Sequence, residues 1–359
     1  MNDCYVFATG GSGGHLMPAL AVAEEIRARS PQASIVFVGS QRPVERSILE
    51  PTGYAHLALP VQSLGTFRRH PLRFLRDNGA SLRAAREALI THRPRAVIGC
   101  GGFASVPAVY AAARLGVPIM LLEQNAVPGR ATSWLSRKAD VVCLTFESSR
   151  SHLATTVNCV VTGNPVRRQI AALAESSAER RDESRQTLLV LGGSQGARAV
   201  NSAVTAALGQ LSRLAARWTI IHQTGNENHG WVQQQYRSLG LSADVRPFLE
   251  DIPEVLARAD LAVSRAGGTT LAELACAGVP ALLVPAAHSV RDHQQKNAEA
   301  IAAAGAAVVV SELEKARLAA ELEPLLTDDR RRLDTASRMA ALARPHAAAD
   351  VLSELDRIA

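Results

Sequence analysis

The sequence predicts an α/β protein made of two Rossmann-like, doubly wound parallel-sheet domains facing across a cleft. Three observations predict it. Short runs that are apolar throughout alternate with segments of helical spacing, as strands buried on both faces require. A strand, a glycine-rich turn and a helix open the chain and recur near residue 188. The length, 359 residues, exceeds what one core usually holds.

The elements follow in order. Residues 4–8 form an apolar strand, and Thr9-Gly10-Gly11-Ser12-Gly13-Gly14-His15 is a glycine-rich turn. Leu16, Leu20, Ala23 and Ile26 then recur at helical spacing, and 35–39 is the next strand, completing a βαβ unit. Residues 57–59, 96–98, 119–122, 141–144 and 159–161 continue the strands. After Gly163-Asn164-Pro165-Val166-Arg167 the composition shifts, and the charged stretch 174–186 reads as a linker or exposed loop. Strand 188–191, the turn Gly192-Gly193-Ser194-Gln195-Gly196 and a helix from Ala197 restart the pattern. Strands at 219–221, 243–245, 261–263, 281–284 and 308–310 complete the second unit, and 333–359 reads as helical. The expected domains are 1–164 and 165–340, with 341–359 a terminal helix.

The most informative stretch is Ser264-Arg265-Ala266-Gly267-Gly268-Thr269-Thr270-Leu271-Ala272-Glu273. Two glycines between a strand and a helix let a ligand approach the backbone, and the helix start suits an anion. Glu273, one turn in, can accept from a pair of hydroxyls. The pattern Thr270-x-x-Glu273 also fits a capping box that needs no ligand. Neither glycine turn gives G-x-G-x-x-G, the second strand ends Val38-Gly39-Ser40-Gln41-Arg42 without an acid, and no G-x-x-x-x-G-K-[ST] occurs. These absences argue against a dinucleotide site and a P-loop.

His15 closes the first turn, where a neutral imidazole can take a proton from a hydroxyl; packing or capping is the plainer alternative. Glu123 and Asn125 end a strand at the same sheet edge, so Glu123 is a second candidate base, or an orienting or helix-start group. Arg167, beside the domain junction, suits a phosphate or a surface ion pair. The polar run 288–297 contains Gln294 and Gln295, which suit sugar hydroxyls or an exposed helix start. Leu64, Phe67, Arg68, Arg69, Arg73, Phe74, Leu75 and Arg76 mix basic and bulky apolar residues on one helical element. That mixture suits anionic lipid, although an ordinary amphipathic helix shows it too.

Composition narrows the class without choosing a partner. The net charge is +6, and all but three of the 39 basic residues are arginine. Such an excess suits a phosphorylated substrate, an anionic membrane surface or nucleic acid. The five cysteines are scattered without a C-x-x-C pair and read as buried thiols. A strand beginning at Cys4 leaves no room for a leader, and the longest apolar stretch, 300–310, is too short to span a bilayer.

Seven motifs carry a resemblance that runs nearly end to end: TGGSGGHLMPALAVA, GCGGFASVPAVYAA, LLEQNAVPG, VTGNPVR, VLGGSQGARAVN, SRAGGTTLAELACAGVPALLVP and HQQKNA. In this order they resemble the MurG family of bacterial GT-B glycosyltransferases. The resemblance implies transfer of GlcNAc from UDP-GlcNAc to the C4 hydroxyl of the MurNAc of lipid I, with inversion, giving lipid II and UDP. It implies an acceptor- and membrane-facing N-terminal domain and a donor-binding C-terminal one, with the last helix crossing back to the first. Donor contacts are implied at Ser12, Gly13, Gly14, Asn125, Arg167, Ser194, Ile252, Gly268, Thr269, Thr270, Leu271, Ala272, Glu273, Gln294 and Gln295. Within these, Glu273 takes the ribose, Ile252 the uracil, and the two glutamines the GlcNAc. No D-x-D motif is present, so no metal and no tightly bound cofactor is expected. Expected partners are UDP-GlcNAc, lipid I and an anionic phospholipid surface, with cell-wall synthesis proteins as further candidates and nucleic acid excluded. The expected location is peripheral, on the cytoplasmic face of the cell membrane. Another GT-B lipid glycosyltransferase, a UDP-sugar epimerase of the same architecture and a non-catalytic nucleotide-sugar-binding protein are the alternatives.

Overall fold

A computed structural model describes residues 3–11, 13–176, 185–193, 196–287, 289–314 and 316–359. The central part of the charged stretch 174–186 lies outside them. The chain divides into two compact units, Met1–Arg168 with His346–Ala359, and Gln169–Pro345.

The first unit is built on a seven-stranded sheet of order β3-β2-β1-β4-β5-β6-β7. Its strands are β1 Cys4–Ala8, β2 Ser34–Ser40, β3 Ala55–Leu59, β4 Ala96–Gly99, β5 Ile119–Glu123, β6 Val141–Leu144 and β7 Cys159–Val161. Every pairing is parallel. Successive side chains point to opposite faces, so an all-apolar strand feeds two cores. On one face Phe7, Phe37, Ile98 and Met120 pack under Leu16, Leu20 and Ala23 of helix Gly13–Arg29. Val351, Leu352 and Leu355 of the last helix, Ala347–Ile358, close the same core. On the other face Val6, Val38, Val97 and Leu121 meet Ala85 and Leu89 of helix Pro71–His92 and Val109 and Ala112 of helix Val106–Leu115.

The second unit repeats the topology with six strands, β10-β9-β8-β11-β12-β13. These are β8 Thr187–Leu191, β9 Thr219–Gln223, β10 Ala243–Arg246, β11 Leu261–Ser264, β12 Ala281–Leu283 and β13 Ala307–Val309, again all parallel. Val190, Ile220, Val263 and Leu282 pack against Val200, Val204 and Leu208 of helix Arg198–Gln210 and Leu318, Leu322 and Leu325 of helix Arg317–Thr327.

Two segments differ from the sequence reading. The basic, apolar element is two helices, Leu64–Arg69 and Pro71–His92, broken at His70 with φ −143° and ψ 72°. Pro71 causes the break, because its ring drives the preceding residue out of the helical region. The C-terminal segment is likewise divided, into Asp329–Ala340 and Ala347–Ile358, with Pro345 between them.

One buried polar chain crosses the second core. Asn201 donates its amide to the Thr224 carbonyl at 2.9 Å, which turns its Oδ1 towards His222 Nε2 at 3.1 Å. His222 therefore donates from Nε2 and accepts at Nδ1 from the Tyr236 hydroxyl, 2.9 Å away. Burial lowers the His222 pKa to about 3, so the folded chain holds a neutral ring. Unfolded, the ring takes up a proton below about pH 6.5. Its stabilising contribution is complete above that pH and is lost as pH falls towards 3. We predict a slope of about 1.4 kcal/mol per pH unit from this group below pH 6.5. Thermal melts of the parent and His222→Gln between pH 7 and 5 check it: the variant loses that part of the slope, and identical slopes would refute the assignment.

Candidate functional site

In each sheet the strand order reverses direction at one point, between β1 and β4 in the first unit and between β8 and β11 in the second. Ligands of open parallel sheets bind beyond the carboxyl ends of the strands at such a switch point. All four strands there lead into glycine-containing segments: Thr9–Gly11, residues 100–102, Gly192 with Gly193, and residues 265–267.

In the first unit the two turns lie back to back. Gly10, Gly11, Gly101 and Gly102 all have positive φ, and a Cβ on Gly102 would overlap the Gly10 carbonyl oxygen. A buried carboxylate fixes this arrangement. Glu45, 1% exposed, accepts the Gly11 amide at 2.7 Å and the Ser40 amide at 2.7 Å, and the Ser40 hydroxyl as well. Arg42 grips the same residue through its other backbone group, donating to the Gly11 carbonyl at 2.6 Å while it lies over the Phe103 ring. Burying Glu45 is tolerable because so many donors converge on it. Burial lowers the pKa of neighbouring His56, with Glu45 opposing the shift.

His15 stands in the first turn of helix Gly13–Arg29. Its Nδ1 lies 3.0 Å from Gln124 Oε1, and Gln124 Nε2 donates to the Leu122 carbonyl at 3.2 Å. Glu123, 3% exposed, accepts from the Asn125 amide, the Asn125 side chain and the Gly129 amide, each at 3.0 Å. The Asn125 carbonyl in turn accepts the Ser149 hydroxyl at 2.6 Å. Glu123 thus ties down the loop after β5. Gly13 is buried, Gly14 is exposed, and Ser12 lies outside the described residues.

In the second unit Gly193 and Gly196 have positive φ, and a Cβ on Gly196 would overlap the Thr224 carbonyl oxygen. Gln223 donates to the Gly193 carbonyl at 3.0 Å. Ser194 lies outside the described residues. Helix Gly268–Ala277 begins with Gly267 as N-cap and carries no side-chain cap bond. The capping-box alternative fails on this geometry, because Thr270 and Glu273 stand inside the helix and Thr270 is not its cap. The preceding turn is held from below. Buried Asn297 donates to the Ala266 carbonyl at 3.0 Å, and Arg265 donates to the Val284 carbonyl at 3.0 Å and to Glu312 at 2.9 Å. Glu312 also accepts the Ala287 amide at 2.7 Å, which links the turn to the loop after β12.

The remaining candidates sit on other segments. Gln294 Oε1 accepts the Ala286 amide at 3.0 Å, and Gln295 donates to Glu299 at 3.1 Å along helix His293–Ala303. Ile252 opens helix Ile252–Arg258 just after Asp251, which takes two bonds from Arg246 at 2.9 and 3.0 Å. Part-buried Arg167 belongs to the first unit, where its charge acts on Glu24. Among the described residues no three His, Cys, Asp or Glu side chains are grouped to hold a metal ion. The five cysteines are buried thiols.

Residues 5–144 match the N-terminal domain of glycosyltransferase family 28, and residues 187–352 match its C-terminal domain. Two relatives, both named UDP-N-acetylglucosamine–N-acetylmuramyl-(pentapeptide) pyrophosphoryl-undecaprenol N-acetylglucosamine transferase, extend the match. The one from Geobacter sulfurreducens is 38% identical over 98% of this chain and 97% of its own length. The one from Thermodesulfovibrio yellowstonii is 36% identical over 86% of this chain and 85% of its own. The chain belongs to the MurG family. Among solved structures, MurG from Acinetobacter baumannii is 28% identical, covers 99% of this chain and 100% of its own, and gives a TM-score of 0.76. The calicheamicin glycosyltransferase CalG4, at 20% identity and a TM-score of 0.65, shares the fold. Two parallel-sheet α/β domains of GT-B type are therefore this family member's architecture.

Sequence reasoning missed Glu45, Arg42, Asn297 and the Arg265–Glu312 pair, which all act across the fold. Glu45 reaches a turn 34 residues away, and nothing local in PVERSIL marks it. For Glu45→Ala we predict a loss of about 3 kcal/mol, since each buried amide left without an acceptor costs ~1–3 kcal/mol. A lowered melting temperature and faster hydrogen exchange at the Gly11 and Ser40 amides are the expected readings. Unchanged exchange at those two amides would remove Glu45 from this role.

Proposed function

We propose that this chain transfers GlcNAc from UDP-GlcNAc to the C4 hydroxyl of the MurNAc of lipid I, forming a β-1,4 bond and releasing UDP. The observation that carries the reading is the 38% identity, sustained over 98% of the chain, to a relative named for this transfer. The glycine turns at both switch points support it, since a nucleotide diphosphate needs backbone amides at close range.

In this reading the start of helix Gly268–Ala277 and the residues Gly268, Thr269, Thr270, Leu271 and Ala272 take the diphosphate, and Glu273 the ribose hydroxyls. Ile252 meets uracil through its backbone, Gln294 and Gln295 address the GlcNAc, and Ser12, Gly13, Gly14, Asn125 and Ser194 complete the donor contacts. Charge develops on the sugar ring and on the departing diphosphate. Preorganised amides and the helix end stabilise the latter, with Arg167 as a further positive charge. His15 serves as the base. Glu123 is the weaker candidate, because its carboxylate already accepts three hydrogen bonds from the loop it anchors.

The same reading places the protein at the cytoplasmic membrane face, on lipid I. Leu64, Phe67, Leu72 and Leu75 are exposed, Leu72 by 82%, among exposed Arg68, Arg69, Arg73 and Arg76. Phe67 and Phe74 meet edge to face at 5.3 Å and join the two helices of the patch. Asp77 accepts from Arg76 and Arg73, so Arg68 and Arg69 carry more of the available charge. Among the described residues no helix is long and apolar enough to cross a membrane, which suits peripheral docking on anionic lipid.

Incubating the protein with UDP-GlcNAc, with and without a short-chain lipid I analogue, tests the reaction. UDP and a disaccharide product are expected only with acceptor; UDP release without acceptor points to an epimerase, and binding without turnover to a sensor. His15→Ala is predicted to lower kcat by roughly 10²–10⁴-fold. Glu273→Ala is predicted to weaken UDP binding about 10–100-fold with the fold intact. For the patch, Arg68→Ser with Arg69→Ser should reduce co-sedimentation with anionic liposomes at low salt; unaltered sedimentation would dismiss it.

A further inference from the structure

Gln124 is 3% exposed, and its amide has one favourable orientation. Nε2 donates to the Leu122 carbonyl at 3.2 Å; turned over, the amide would set oxygen against oxygen. Oε1 therefore faces His15 Nδ1, 3.0 Å away. A carbonyl oxygen only accepts, so the ring nitrogen opposite it carries the proton, and the lone pair of the neutral imidazole lies on Nε2. The ring is also confined to a slot. Gly101 and Gly102, with φ of +91° and +75°, lie along it, and a Cβ on Gly101 would come within 3.0 Å of Nδ1 and 3.1 Å of Cε1. Among the described residues Nε2 meets no hydrogen-bond partner.

We propose that Gln124 is the positioning residue that fixes His15 as the Nδ1–H tautomer and so makes Nε2 the proton acceptor. The proposal rests on the reading of His15 as base. In the step it serves, the acceptor oxygen bonds to the anomeric carbon while its O–H bond breaks towards Nε2. The bond from that carbon to the diphosphate breaks, and UDP leaves with the electron pair. The resulting imidazolium keeps its Nδ1–H on Gln124 Oε1 and gives the Nε2 proton to solvent before the next cycle. A neutral amide suits this role: it orients the ring without competing for the proton. It also explains why three consecutive residues at the end of β5 differ in kind, with Glu123 anchoring a loop, Gln124 orienting a ring and Asn125 left at the site edge.

Nitrogen-15 NMR of the full chain at a pH where the ring is neutral tests the tautomer, with the His15 signals identified by their loss in His15→Ala. The parent is expected to show a protonated Nδ1 and a lone-pair Nε2. Gln124→Met, which keeps the length and removes the acceptor, should give a tautomer mixture and a kcat lower by roughly 10²-fold, with UDP affinity unchanged. Gln124→Glu retains an acceptor for Nδ1–H and, when protonated, a donor for Leu122. It should restore the parent signature and at least about a tenth of the parent kcat. A parent ring protonated at Nε2, or a Gln124→Met enzyme with parental kcat, overturns the proposal. A His15→Ala enzyme with parental kcat overturns the base reading and the proton-acceptor half with it, while the nitrogen spectra decide the tautomer independently.

Discussion

The close approach of two backbone turns governs the first unit's site. A parallel sheet puts the ends of β1 and β4 side by side at the switch point, and both strands must deliver a turn there. With side chains at Gly10 and Gly102 these turns would collide, since a Cβ on Gly102 would fall on the Gly10 oxygen and one on Gly10 within 2.8 Å of Ala104 Cβ. The glycines remove the collision but leave a loose segment, because glycine loses more conformational freedom on ordering than any other residue. Glu45 and Arg42 supply the missing restraint by taking the amide and the carbonyl of Gly11. His15 follows that fixed segment into the first turn of the helix, so its position is inherited from packing two turns away.

The second unit meets the same topological demand with different chemistry. Its turn after β8 closes on the Thr224 carbonyl, and that carbonyl belongs to the chain Tyr236, His222, Asn201, Thr224. All members are neutral, which avoids the cost of burying charge that Glu45 must offset with several donors. The turn after β11 instead uses a part-buried ion pair, Arg265 with Glu312, each with an additional backbone partner. Such a pair holds two loops in register even where its net contribution to stability is small. The two sheets thus share an architecture while each turn is secured by whatever neighbouring strand or helix the fold brings near.

This division explains what the sequence could disclose. Most of the described strands are visible as apolar runs, because strands buried on both faces cannot hide their composition, whereas the edge strand β10 carries Asp244 and Arg246 and is not buried. The glycine turns are visible because positive φ and close approach demand one residue type. The capping-box alternative at Thr270 used the right residues in the wrong register: the helix starts at Gly268, two residues before Thr270. The break at His70 was readable from Pro71, yet the amphipathic spacing on either side suggested continuity. Glu45, Asn297 and Glu312 were unreadable because their partners lie 34, 31 and 47 residues away. A lone carboxylate or amide has no local pattern to announce such a partner.

The motif Glu123-Gln124-Asn125 shows why motif and role must be separated. As letters, the carboxylate reads as a second candidate base after His15, and the glutamine between it and Asn125 draws no role. In the fold the carboxylate is already engaged with three donors, and withdrawing it to accept a proton would release Asn125 and the Gly129 turn together. Such a group is fully bonded, and withdrawing it from its three donors carries an energetic cost. The imidazole is different, since its one fixed bond uses the nitrogen that need not react. A base works best when its anchoring atom and its reacting atom are distinct, because protonation of one then leaves the other's hydrogen bond intact. Histidine provides two such atoms and a bound carboxylate here does not, which is the physical ground for proposing His15 as the base.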